Sequence, residues 1–164
     1  MSVKKIIATL IAVAALPALA AQIEGKVIRV SDGDTIVVLD GNKRQQRVRF
    51  LGIDSPELKQ EYGRSARKNL SDKIAGKKVT ISFDERDRYG RILGTVYLGE
   101  SNINLLQIEE GYAWYYRYYA RDVQPSLRRA YDRAETQARK ARLGLWQQKD
   151  PTPPWDWRRE NRRQ

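Results

Sequence analysis

The chain contains neither cysteine nor histidine. Without a thiol or an imidazole it can form no disulfide, no thiolate nucleophile, no Ser-His dyad and no zinc site built on nitrogen or sulfur. Hydrolytic chemistry in such a chain has to run on carboxylates, guanidiniums, amines, phenols and an oxygen-bound hard cation. Acidic residues are also outnumbered, 20 against 31 Lys and Arg in 164 residues, for a net charge of +11. That balance favours a polyanionic partner: nucleic acid first, anionic lipid or cell-wall polymer second. A membrane-spanning run is missing as well. The apolar stretch from Ile6 to Leu16 is too short for a bilayer and is followed by Pro17. With Lys4 and Lys5 before it and Ala18 and Ala20 after it in A-x-A spacing, residues 1–20 read as a secretory signal peptide. The expectation is an exported protein, periplasmic or secreted, without a stable membrane anchor and monomeric, whose net charge is +9 once Lys4 and Lys5 are gone.

What remains is long enough for one core that needs no covalent staple. Residues 23–30 (IEGKVIRV), 35–40 (TIVVLD) and 47–53 (RVRFLGI) are rich in β-branched side chains and separated by turn-forming SDGD and GNKRQ, so they read as three antiparallel strands. Ala66, Leu70 and Ile74 then recur every four residues, ahead of Gly76, which marks a helix and its C-terminal cap. Residues 78–84 and 92–98 return to strand character around ERDRYGR. INLLQIEEGY is a short helix stopped by Gly111, and YAWYYRYYARD has no clear period. From residue 125 to 141, Leu127, Ala130, Tyr131, Ala134, Ala138 and Ala141 follow helical spacing beneath a basic face. Residues 148–164, rich in Pro, Trp and Arg, read as an extended or loosely docked tail. Five strands with a helix after the third predict an α+β, mainly β domain over residues 21–147. Its expected form is a five-stranded Greek-key barrel of the oligonucleotide-binding type with about three α-helices, although a different five-stranded barrel would read much the same.

Acids crowd the stretch SDGDTIVVLD in spite of the basic background. Asp32 and Asp34 have two readings: an Asx-turn with Gly33 at positive φ, or one side of a cation site. A hairpin centred near residue 44 would bring Asp34 opposite Asp54, where two carboxylates repel unless a cation neutralises them. In DSPE, Ser55 reads equally as a helix N-cap with Pro56 in the first turn. DRYGR reads as a tight turn. Together these pieces supply what phosphodiester hydrolysis needs: Asp34 and Asp54 for a Ca²⁺ ion, Glu57 as base, Arg49 and Arg91 for the growing charge on phosphorus. Strict alternation puts Arg49 and Asp54 on opposite faces, so a shared site predicts an irregularity at Gly52.

In order and spacing, DGDT (32–35), VRFLGIDSPE (48–57), DRYGRILG (87–94) and LGLW (143–146) resemble the staphylococcal nuclease family, and PPWDWRR (153–159) resembles the ending of many exported bacterial members. The resemblance implies an oligonucleotide-binding barrel that cleaves DNA and RNA with Ca²⁺ and leaves 3′-phosphate ends. It implies metal ligation by Asp34, Asp54 and the Ser55 carbonyl, Ser55 standing where threonine is more usual. It implies Glu57 as general base, Arg49 and Arg91 on the phosphate, and Tyr89 with Arg88 on the nucleotide. A second set of base-contacting tyrosines falls among Tyr115, Tyr116, Tyr118 and Tyr119, the last three being the expected contacts. The alternative is a non-catalytic nucleic-acid-binding barrel of the same fold.

Overall fold

The computed structural model describes residues 20–162; all but the last residue of the expected signal peptide lie outside them. Ten residues, Ala21–Val30, form β1, the central strand. It pairs antiparallel with β2 (Thr35–Asp40) on one side and with β5 (Lys78–Arg86) on the other. β3 (Gln45–Phe50) extends the sheet beyond β2, and β6 (Ile92–Leu98) extends it beyond β5. Parallel pairing of β3 with β6, at Val48↔Ile92 and Arg49↔Leu93, closes the ring. This is the expected five-stranded barrel. Closure leaves none of these strands with a free edge along its whole length, and it sets Arg49 and Arg91 at the same end.

The alternating β-branched residues explain the core: Val27, Ile36, Val38, Val48, Phe50, Ile81, Ile92 and Val96 all point inward and are buried. Helix α1 (Gly63–Ile74) covers this core with Ala66, Leu70 and Ile74, the three residues of the four-residue period, and the chain leaves it through Gly76 at φ 74°. Asn102 caps α2 (Ile103–Glu109) by accepting from the Leu105 N–H. Helix α3 (Pro125–Lys140) buries Tyr131, Ala134 and Ala138 as its spacing required, while Ala141, expected to pack with them, is exposed at its end. Among the described residues no helix is long and apolar enough to cross a membrane.

Three expectations need correction. The third strand does not run to residue 53: it stops at Phe50, turns through Leu51 and Gly52, and resumes as β4 (Ile53–Asp54), paired with β7 (Trp114–Tyr115) instead. The hairpin register is displaced too, since Thr35 faces Arg49 and the Phe50 N–H donates to the Asp34 carbonyl. Asp54 therefore reaches Asp34 through the Gly52 turn and not across the ladder. Finally, the tail is neither extended nor loose. Residues Pro154–Asn161 form a fourth α-helix, α4, started by proline in its first turn.

Gly52 is where the predicted irregularity falls. Its φ is 76°, and a Cβ there would lie 2.6 Å from Val123 Cγ2 and 3.1 Å from Tyr131 Cε2. Replacement by alanine adds both left-handed strain and a clash. Gly52→Ala is expected to lower unfolding free energy by roughly 1–3 kcal/mol, measured by urea denaturation; a change within error would show that this turn is not under constraint.

Candidate active site

The SDGD loop serves both of its readings at once. Asp32 makes the turn, its Oδ1 accepting from the Asp34 N–H at 3.0 Å. Gly33 is needed for close approach and not, as expected, for positive φ: a Cβ would lie 2.7 Å from Ser55 Oγ and from Ala66 Cβ. Gln107 of α2 fixes the same loop from below, donating to the Gly33 carbonyl at 2.7 Å, and Asn104 donates to the Leu51 carbonyl at 3.1 Å. Both are fully buried polar residues on an otherwise apolar helix face. Sequence periodicity counted them as ordinary helix positions, and only their burial reveals that they brace the two turns.

Asp34 and Asp54 converge on Arg49. Its Nη1 lies 3.2 Å from Asp34 Oδ2, and its Nη2 donates to Asp54 Oδ1 at 2.8 Å. Nη1 also donates to the carbonyls of Phe50 and Ile53, on either side of the Gly52 turn. Arg49 thus locks the turn that carries Asp54. Ser55 is not a helix cap, since α1 begins only at Gly63. Its N–H donates to Asp34 Oδ2 at 2.6 Å and its hydroxyl to the Tyr112 carbonyl. Glu57, partly exposed, stands further out; its N–H donates to Gln60 Oε1.

Arg91 comes from the opposite wall. Asp87 accepts from the N–H groups of Tyr89 and Arg91 and, at 2.7 Å, from Arg91 Nε, so one carboxylate caps the DRYGR turn and aims the guanidinium. Arg88 and Arg91 flank the Tyr89 ring at 5.1 and 5.6 Å, and the ring itself is 63% exposed. One open cavity of about 470 Å³ is lined by Asp34, Arg49, Asp54, Ser55, Glu57, Arg88, Tyr89, Arg91, Tyr116 and Tyr119, together with Asp32 and Thr35. Of the sequence-predicted residues, Tyr115 and Tyr118 fall outside it. Both line an adjoining 320 Å³ recess with Tyr116, Arg117 and Trp155. Tyr115 is mostly buried there beneath Arg117, whereas Tyr118 is exposed.

Two further cavity residues, Arg158 and Arg162, come from the C-terminal region. Arg158 donates to both oxygens of Asp54, at 3.1 and 2.8 Å, and to Glu57 Oε1 at 2.8 Å. Sequence reading missed it. The run PPWDWRR carried a signal, arginine following tryptophan in a proline-started turn, but nothing local said which arginine would face inward.

The electrostatics follow from burial. Desolvation pushes the Asp34 carboxyl up to about 7, against the pull of Arg49, with Asp32 adding repulsion. Burial likewise raises Asp54, opposed by the Arg158 hydrogen bonds and the charge of Arg49. For Arg158 burial favours the neutral form, but the hydrogen bonds and charge of Asp54 outweigh it and raise its pKa. Among the described residues no three acids are gathered into a ready metal cage. The donor set still fits a hard cation. It is all oxygen, and burial makes the Asp34 carboxyl costly to ionise with Arg49 as its one cationic partner among the described residues.

The chain is similar to several known proteins. Residues 47–148 match the family model described as staphylococcal nuclease homologue. An Escherichia coli protein described as an uncharacterized endonuclease is 46% identical over 144 residues, covering 87% of this chain and 89% of that protein. A micrococcal nuclease of Shigella flexneri is 39% identical over 170 residues, covering 98% and 94%. A Haemophilus influenzae protein, also described as an uncharacterized endonuclease, is 36% identical over 137 residues, covering 84% and 74%.

The raised Asp34 pKa has a consequence for stability in chelator. Folded Asp34 keeps its proton to about pH 7, whereas the unfolded carboxyl releases it near 3.8. Its contribution is therefore complete at low pH and is lost as pH rises through 7. Urea unfolding of wild type and Asp34→Asn between pH 4 and 8 is expected to show a downward slope that is shallower in the variant, where only Asp54 of the pair still contributes; parallel curves would contradict it. With acids and guanidiniums gathered in one open cleft on a closed barrel, a family model matching residues 47–148 and relatives up to 46% identical over most of its length, the chain belongs to the staphylococcal nuclease family.

Proposed function

We propose that this protein is an exported, calcium-dependent phosphodiesterase that hydrolyses DNA, RNA or both with little sequence specificity. The observation that carries this reading is the cavity itself. Asp34, Asp54, Glu57, Arg49 and Arg91, from three separate stretches of chain, all line one open cavity of about 470 Å³. Asp34, Asp54 and the Ser55 carbonyl would hold the ion. When bound, the ion supplies polarisation of a phosphoryl oxygen and partial neutralisation of the substrate.

The protein's own groups do the rest. Glu57 is the least buried of the three acids, so it can exchange protons with a water in the cleft. It takes the proton as the water oxygen attacks phosphorus. The bond to the 5′ oxygen breaks, that oxygen gains a proton from solvent, and a 3′-phosphate is left. Arg91, aimed by Asp87 and with both Nη atoms free of hydrogen bonds among the described residues, meets the charge growing on the phosphoryl oxygens. Arg49 is tied to Asp34 and Asp54, and supplies fixed positive charge at the base of the cleft. Tyr89 and Tyr119, both exposed, offer ring faces to bases, which favours stacking over edge-reading and hence low specificity, while Tyr116 is stacked between Trp155 and Tyr118. The basic surface recruits substrate through its phosphates.

The rival reading, a non-catalytic nucleic-acid-binding barrel, draws on one observation: Asp34, Asp54 and Glu57 are each already paired with a guanidinium. Glu57→Gln separates the two. If Glu57 is the base, cleavage of single-stranded DNA in Ca²⁺ falls roughly 10²- to 10⁴-fold while filter-binding affinity is kept. Unchanged cleavage removes Glu57 from the reaction, and binding without cleavage by the wild type favours the rival.

A further inference from the structure

Helix α4 is an eight-residue element with no side-chain N-cap. A helix that short has little stability of its own, so it exists because it is docked. Three sets of contacts dock it. Trp155 stacks on Tyr116 at 5.1 Å and 15° and meets Trp114 edge-on at 5.6 Å. Gln60, from the loop carrying Glu57, donates to the Thr152 carbonyl at 2.6 Å. Arg158 supplies the charged contact, donating to both Asp54 oxygens and to Glu57 Oε1.

The charged contact is unusual in what it occupies. Asp54 is 1% exposed, so its carboxylate needs a positive partner, and Arg158 reaches it from the open side of the cleft. A divalent ion held by Asp54 needs the lone pairs that now accept from Arg158. It would also put two positive charges beside a third in a poorly hydrated site, where repulsion is weakly screened. Ion and guanidinium therefore compete for the same oxygens.

We propose that Arg158 is a resident cation that sets the ion affinity of the site: docked, α4 closes Asp54 and Glu57 against a divalent ion, and ion binding releases it. This rests on the reading of Asp34 and Asp54 as ion ligands. The apparent dissociation constant for the ion is the intrinsic one divided by the fraction of molecules with α4 undocked. Removing the guanidinium, or loosening the helix elsewhere, tightens ion binding.

The test is calcium titration calorimetry on the purified protein, beside limited trypsin digestion in calcium and in chelator, with mass spectrometry of the C-terminal fragments. Arg158→Ala is expected to bind Ca²⁺ about tenfold or more tightly, the equivalent of one charge-assisted hydrogen bond. Trp155→Ala, which touches no carboxylate and keeps Arg158, is expected to shift affinity in the same direction. In wild type, calcium is expected to speed cleavage after Arg158 and Arg159, and chelator to restore protection. Circular dichroism checks that each variant folds. Calcium binding of equal strength in wild type and both variants would overturn the proposal while leaving the ion reading intact. So would weaker binding by Arg158→Ala, which would make Arg158 a support of the ion. If Arg158→Ala keeps wild-type affinity but loses activity, Arg158 serves the phosphate instead. Absence of calcium binding in wild type and variants alike would bring down the ion reading along with it.

Discussion

One largely buried guanidinium organises this molecule's chemistry. Arg49, next to last in β3, holds two carboxylates that would otherwise repel, Asp34 and Asp54, while its Nη1 also fixes the carbonyls of Phe50 and Ile53. The same contact fixes the shape of the Gly52 turn and the position of the site. Were Arg49 absent, Asp54 would keep only Arg158 and Asp34 would have no cationic partner among those described. The barrel supports this arrangement by closing β3 against β6, which puts the Asp87 turn and Arg91 across the cleft.

That contact does not fully offset burial. Burial pushes the Asp34 carboxyl toward its neutral form, and the single charge of Arg49, shared with Asp54, only partly opposes it. A site in that condition gains from a further cation. The structure offers a further cation of its own, Arg158, and the chemistry proposed here calls for a divalent ion. Charge balance at Asp54 links the base of the cleft to the far end of the chain, a hundred residues away in sequence and in direct hydrogen-bonding contact in space.

Much of this was readable from residue types alone. The missing imidazole and thiol pointed to carboxylate chemistry, the β-branched runs to the barrel strands, and the four-residue period of Ala66, Leu70 and Ile74 to α1. The odd spacing of Arg49 and Asp54 called for a break at Gly52, and the positive φ there is that break. What sequence could not supply was set by long-range packing. The hairpin register depended on where the strand ended, which Gly52 and the pairing of Ile53 with Tyr115 decide together. The bracing by Asn104 and Gln107 looked like ordinary helix surface until its burial was known. Helix α4 has weak local propensity and prolines before it, so its fold is imposed by Trp114, Tyr116 and Asp54, none of them near in sequence.

The most direct measurement of the central claim is a high-resolution crystal structure grown in saturating calcium with a nucleoside 3′,5′-bisphosphate, the ion located by its anomalous signal. The account predicts one ion touching the carboxylates of both Asp34 and Asp54, with a phosphate group facing Arg91. An ion bound elsewhere, or Asp34 and Asp54 still paired solely with guanidiniums at saturation, would contradict it.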